Sequence, residues 1–246
     1  MSTQPLFYKN VVPLNKEKHA ELFVELIEDY QFARETNSLY IAAIEFLNAS
    51  REYPIVFTKV SDNEIFPVVI LGMQNKQNLY VDHQGKWSAN YIPAYVRRYP
   101  FILANSQDNE GNFAVCIDES YPGFNNKQKG QRLFNAQGKE SDLLKRSVEF
   151  LKEYQNHTQL TTLFTNNINE LGLLEPMHAN VELKDGERLA LSGFLGISRE
   201  KLKALAPETL SDLINTDQME LIYAHLSSLD NIETLIQRLG NRKMIN

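Results

Sequence analysis

Three strand-forming runs lie close together in one short stretch of the chain: YPIVFTKV from Tyr53, FPVVILGM from Phe66 and NLYVDHQGKW from Asn78. Only the short stretches SDNEI, containing the polar DNE, and QNKQ, which runs into Asn78 as NKQN, separate them. A parallel crossover needs a dozen or more residues, so linkers this short restrict the runs to antiparallel pairing. Tyr53 to Lys59, Pro67 to Met73 and Asn78 to Asp82 are therefore expected as successive neighbours in one central sheet. Their β-branched and aromatic side chains suit a pleated, half-buried surface.

Around this nucleus the pattern is mixed. Phe7 to Val12 resembles a short strand broken by Pro13, and Leu39 to Leu47 leans towards helix. Pro93 to Tyr99 suits a short helix, with Pro93 at its first position and Pro100 beyond its end. Phe101 to Ala104 and Phe113 to Ile117 form a candidate hairpin across a polar loop containing Gly111. Ser120 to Lys139, rich in Gly, Asn and Lys, is expected as a surface excursion or a flap over the sheet.

Beyond Ser141 the apolar period changes from two to 3.6. Leu143, Leu144, Val148, Leu151 and Tyr154 fall on one helical face, with Ser141 as N-cap. Leu160, Leu163, Phe164, Ile168 and Leu171 extend the pattern, and Gly172 offers the stop. A hairpin is expected around Asp185–Gly186, either rejoining the meander or forming a second sheet. Helical spacing then covers Lys201 to Leu205, Pro207 to Ile214, Met219 to Leu229 and Ile232 to Leu239. Asp217 with Glu220 and Asp230 with Glu233 have capping-box spacing, and Gly240 is placed as the last stop. The expected fold class is α+β, an antiparallel sheet with long connections packed against C-terminal helices. One domain over 1–246 is expected, β-rich in its first half and predominantly helical in its second.

Composition bounds the function. The chain has 246 residues, is 43% hydrophobic and contains 13 Phe and 11 Tyr, enough large side chains for a packed core. Thirty-one acidic against 25 basic residues leave a formal charge of −6, which disfavours diffuse attraction to nucleic acid or anionic lipid. A single cysteine, Cys116, permits no internal disulfide or thiolate metal cluster and fits a reducing compartment. The start MSTQPLFYKNVVPLN lacks a basic n-region followed by an apolar run, and no stretch approaches the roughly 20 apolar residues of a membrane span. A cytoplasmic location, with no nucleic-acid partner and no membrane span, is the expectation.

No phosphate-binding glycine loop, nucleophile elbow, zincin helix or EF-hand loop occurs, so neither a cofactor nor a metal is expected. Two constellations remain. Arg97 and Arg98, with Tyr91, Tyr95 and Tyr99 around them and Arg51 to Pro54 upstream, can clamp a carboxylate or phosphate while stacking on rings. As ordinary structure, the same arginines would pair with helix-end carboxylates and the tyrosines would seal a sheet edge. Separately, Asp82, His83, Asp118 and Glu119 stand at the ends of two expected strands and would exchange a proton or hold an ion if those ends converged. The simpler reading is a set of caps and solvated charges. Cys116 fits a core residue, and His19 and His157 fit helix surfaces. His178 fits a linker, and His225 fits packing against the last helix.

REYPIVFTK at Arg51 to Lys59, PVVILGMQNKQNLYVDHQGKWSANYIPAYVRRYPF at Pro67 to Phe101, QRLFNAQGKES at Gln131 to Ser141, CIDE at Cys116 to Glu119 and ELIYAHLSSLDNIETL at Glu220 to Leu235 together resemble the SapC family of bacterial surface-layer-associated proteins. The resemblance covers nearly the whole chain in order and brings no catalytic position with it. It implies an accessory role near nutrient uptake or substrate modification. The leading expectation is a non-catalytic cytoplasmic module that binds a small anionic ligand or a protein partner through Arg97, Arg98, Tyr95 and Tyr99. The alternative is an enzyme of unassigned chemistry using Asp82, His83, Asp118 and Glu119.

Overall fold

The computed structural model describes residues 5–61, 64–105, 113–182 and 188–245. Three short strands come first: β1 (Val11–Pro13), β2 (Phe23–Val24) and β3 (Ser38–Tyr40). The segment Leu39 to Leu47 is thus not one helix. Leu39 and Tyr40 pair with Val69 and Val68, a 3-10 turn covers Ala43–Glu45, and only then does α1 (Phe46–Ala49) begin. Sheet pairing here overrides a local pattern that suited either state.

The central hairpin forms as expected from its short linker. β4 (Ile55–Ser61) and β5 (Glu64–Ile70) run antiparallel, with Ile55 opposite Val69 and Phe57 opposite Pro67. The third expected strand does not form, because the place beside β5 is taken by β3. Asn78 to Asp82 instead runs as a packed loop. Its consecutive residues Leu79, Tyr80 and Val81 are all buried, whereas a half-buried strand would alternate. Asn78 organises it, donating from its side chain to Ala33 O and accepting from Tyr80 N.

The short helix follows as α2 (Ala94–Arg97), with Pro93 at its cap rather than inside. β6 (Phe101–Asn105) and β7 (Phe113–Asp118) make the second hairpin; its loop, with Gly111, lies outside the described residues. β1 adds to the free edge of β7, and Pro13 closes that edge strand where its missing N–H costs nothing. The Ser120 to Lys139 excursion contributes β8 (Phe124–Asn125) and β9 (Gln131–Arg132), which flank β2 in a small sheet. It is pinned by the buried Leu133 and Phe134.

Helix α3 (Asp142–Glu170) is a single element of 29 residues, about 40 Å long. Ser141 caps it by accepting from Leu144 N. Its first half buries Leu143, Leu144 and Leu151 against Phe101, Ile117 and Leu133. Its second half buries Phe164 and Ile168 in the larger core formed by Phe46, Tyr53, Phe57 and Tyr80. The expectation that Leu160 and Leu163 share that buried stripe is corrected: they are 58% and 65% exposed, and the side chains buried along this half are Thr161, Phe164, Thr165 and Ile168.

After Gly172, whose φ of 66° ends the helix, β10 (Leu174–Glu182) and β11 (Arg188–Ile197) form the expected hairpin. The Asp185–Gly186 turn lies outside the described residues. β11 joins β4, so the hairpin rejoins the first-half sheet in the order β10-β11-β4-β5-β3. Four helices close the chain: α4 (Arg199–Lys203), α5 (Pro207–Asn215), α6 (Gln218–Ser228) and α7 (Asn231–Ile245).

Two C-terminal expectations change. Asp217 precedes α6 in a left-handed conformation, φ 58°, and its side chain makes no cap bond. Gly240 lies inside α7 rather than beyond it. The flanking Arg238 and Arg242 each donate two hydrogen bonds to the 78–88 loop, which holds the helix across the glycine. The α+β class, antiparallel sheets with C-terminal helices, is what the molecule has.

Candidate functional site

Helix α2 lies between α3 and the large core, and a single buried carboxylate fixes it there. Glu45 accepts from Ala42 N at 3.0 Å, Ala94 N at 2.7 Å and Tyr91 Oη at 2.7 Å. Tyr91 is tied further inward, because its carbonyl accepts from Tyr53 Oη, which in turn accepts from Trp87 Nε1 at 2.8 Å. Burial, reinforced by the Glu45 carboxylate, raises the Tyr91 phenol. This chain of polar contacts leaves the two consecutive arginines at the end of α2 facing α3.

Arg97 donates from Nε to Ile92 O at 2.9 Å, and its guanidinium carbon lies 5.8 Å from the Tyr91 ring centroid and 5.2 Å from that of Phe150. Arg98 stacks on Tyr95 at 3.8 Å and approaches Tyr154 at 5.2 Å and Tyr8 at 5.8 Å. Its Nε is buried and has no hydrogen-bond partner among the described residues. Burial raises the Tyr8 and Tyr154 phenols, so these two rings stay neutral beside the Arg98 guanidinium.

Arg97 and Arg98 both border a groove of about 320 Å³. Its floor and walls are Leu26, Tyr99, Phe101, Leu143 and Phe150, and α3 adds a third cation, Arg146. No carboxylate lines it, and among the described residues none of the three arginines makes an ion pair. Three positive charges beside an apolar wall, in a chain of net charge −6, favour a small anion with an apolar body. A second groove of about 360 Å³ continues on the other side of Arg97 and Phe150; Glu45, Asn48, Tyr91, Glu153 and His157 are among its walls.

Of the four tyrosine and arginine candidates, the structure places Arg97, Arg98 and Tyr99 on the first groove and Tyr95 behind it as the stacking support of Arg98. Arg146 and Phe150 are absent from the sequence candidates. Their signal was present, since Phe150 is an aromatic residue at the border of the apolar stripe of α3 with Arg146 one turn before it. Nothing in the local pattern, however, tied them to α2.

The acidic candidates serve local structure in separate places. Asp82 accepts from Gln84 N and Lys86 N within its own turn, and the Lys86 contact in particular keeps its carboxyl below the usual range. His83 is exposed, and its carbonyl accepts from Gln31 Nε2. Asp118 is fully buried at the exit of β7 and accepts from Lys9 N, Asn10 N, Ser120 N and Ser120 Oγ, with Tyr99 Oη at 3.3 Å. Burial opposes its charge, but these hydrogen bonds outweigh it and lower its pKa. Glu119 pairs with Lys18 at 2.6 Å and with His19 Nε2 at 3.1 Å, which also lowers its pKa. Among the described residues no hydrogen bond or ion pair joins Asp82 or His83 to Asp118 or Glu119, and no group of three or more His, Cys, Asp and Glu could hold a metal.

His19, His178 and His225 differ from expectation, whereas His157 does lie on a helix. His19 lies buried in a turn, its Nδ1 accepting from Asn15 N, and His178 is in β10. His157 is half-buried on α3. His225 bonds the sheet rather than the last helix, with Nδ1 at 2.8 Å from Ile55 O and Nε2 accepting from Ile197 N. Cys116 is buried, and burial raises its thiol, which suits a core residue and not a nucleophile.

Among the described residues no helix is long and apolar enough to cross a membrane. No curated protein and no solved structure matches the chain. The family model named SapC matches residues 14–235, which takes in the central hairpin, α2, all of α3 and the acidic clamp at β7, and the chain belongs to the SapC family.

Proposed function

We propose that this protein is a non-catalytic binding module for a small anionic ligand, held in the groove between α2 and α3. The observation that carries the reading is the convergence of Arg97, Arg98 and Arg146 on one groove whose lining contains no carboxylate. Arg98 is held by ring stacking, and its buried Nε has no hydrogen-bond partner among the described residues. The apolar walls Leu143, Phe101 and Phe150 favour a carboxylate or phosphate bearing a hydrophobic body over a bare inorganic ion. A cytoplasmic location and an accessory role near uptake or modification of such a compound belong to the same proposal, supported by the family kinship and by the single buried thiol.

The test is native mass spectrometry of the purified chain followed by calorimetric titration with the recovered ligand, or with 3-phenylpropionate where none is recovered. Arg97→Gln, Arg98→Gln and Arg146→Gln should each weaken binding by about tenfold, the scale of one charge-assisted hydrogen bond. Unchanged binding in the triple variant would refute the site.

A further inference from the structure

Arg97 and Phe150 belong to both grooves, so the two form one trough with a saddle between them. The α3 wall of that trough has a charge gradient. Arg146, Phe150, Glu153 and His157 follow at i, i+4, i+7 and i+11, the spacing of one helical face. Arg146 stands in the cationic groove, Phe150 at the saddle and Glu153 in the second groove. Glu153 is exposed and makes no ion pair among the described residues, whereas the neighbouring Glu45 is buried and occupied by three donors. The trough therefore presents unpaired cations at one end and one unpaired carboxylate at the other. Seven residues at the rise of an α-helix separate Arg146 from Glu153 by roughly 10 Å.

We infer that the ligand is two-ended: a short zwitterionic peptide of about three residues whose C-terminal carboxylate lies at Arg98 and Arg146 and whose ammonium lies at Glu153. This rests on the arginine groove being the binding site. Three extended residues span about 10 Å, which matches the separation of the two charged ends. At the saddle Arg97 is anchored through Nε to Ile92 O and lies against Tyr91, and its guanidinium borders both grooves where it can donate to a mid-chain carbonyl. Phe150 and the walls Phe101 and Leu143 give the last side chain an apolar seat. A free amino acid is too short to reach both ends, and a long peptide would carry its terminal charges beyond them.

The probe is alanyl-alanyl-phenylalanine, compared by titration calorimetry at low salt with its N-acetylated form, its C-amidated form and 3-phenylpropionate. The free-ended peptide should bind about tenfold or more tightly than either blocked form. Glu153→Gln should abolish the penalty for acetylation alone, and Arg146→Gln should remove most of the penalty for amidation alone. Both positions are exposed on α3, so the variants should keep the wild-type melting temperature. Equal binding of free and acetylated peptide, with 3-phenylpropionate still bound and weakened by Arg146→Gln, would overturn the two-ended ligand and leave the anion site standing. Failure of both the peptide and 3-phenylpropionate to bind would overturn both.

Discussion

The guanidinium carbon of Arg98 lies 3.8 Å from the centroid of the Tyr95 ring, the closest cation–ring approach among the described residues. That stacking holds the plane of the arginine without using its donors, which is how a cation is kept ready for a ligand. Tyr95→Phe keeps the ring face and should leave 3-phenylpropionate affinity within about twofold, although it loses the contact from Leu6 N to the Tyr95 hydroxyl at 3.2 Å. Tyr95→Ala removes the face and should weaken binding about fivefold to tenfold, the worth of a cation–π contact of ~1 kcal/mol with added side-chain freedom. Calorimetric titration of the two variants side by side checks the difference.

Asp118 holds the segment before β1 to the body of the protein through Lys9 N and Asn10 N. Asp118→Asn replaces an acceptor for five donors by a neutral amide, one end of which cannot accept. Destabilisation of about 2–4 kcal/mol is expected, the scale of losing hydrogen bonds to a buried charge. In hydrogen exchange the amides of Lys9 and Asn10 should lose protection before those of β6 and β7. Because the folded carboxyl titrates below its ordinary value, its stabilisation is complete above about pH 4 and is lost as pH falls through the lower folded pKa. Chemical denaturation of wild type against the variant between pH 3 and 6 should therefore show the gap narrowing only at the acid end.

His225 gives the opposite class of group at a different pH. It is fully buried, it bridges Ile55 O and Ile197 N, and burial lowers its pKa to about 4. In the unfolded chain it takes up a proton near pH 6.5, so between about pH 6.5 and 4 the unfolded state binds more protons and stability falls with acidification. The loss at pH 4 is on the order of 3 kcal/mol. His225→Gln should be less stable at pH 7.5, and its stability should change less across that window. A variant whose acid limb had the slope of wild type would show that another group is responsible.

The parts of the fold legible in the sequence are those governed by local periodicity and by short connections. The β4–β5 hairpin, the Ser141 cap and the first half of α3 all follow from residues within a few positions of one another. Asn78 to Asp82 departs from its strand-like pattern because its backbone carbonyls are satisfied from far along the chain, by Arg242 at Asn78 O and Val81 O. The same holds for the site. Arg97 and Arg98 stand out as a pair beside tyrosines, but Arg146 and Glu153 become visible only when α3 is laid against α2 by the Glu45 network and the contact from Ala43 N to Thr161 Oγ1. The Asp118 clamp depends likewise on donors about a hundred residues earlier, which no local pattern encodes.

Gly240 offers the sharpest separation between local pattern and tertiary anchoring. Read locally, Leu239–Gly240 ends a helix, and a glycine there would adopt a left-handed conformation in which an added Cβ costs about 1 kcal/mol. In the structure α7 runs from Asn231 to Ile245 through the glycine, and a Cβ built at Gly240 meets nothing within 4 Å. Replacement by alanine in an open helix interior gains about 1 kcal/mol from the reduced backbone entropy of the unfolded chain and the better helix propensity. For a chain of this size that corresponds to about 2–4 °C in Tm. Gly240→Ala should therefore melt higher than wild type. If the helix ended where the local pattern puts it, the variant would melt lower by a similar amount, so the sign of the shift in a thermal unfolding measurement decides between them.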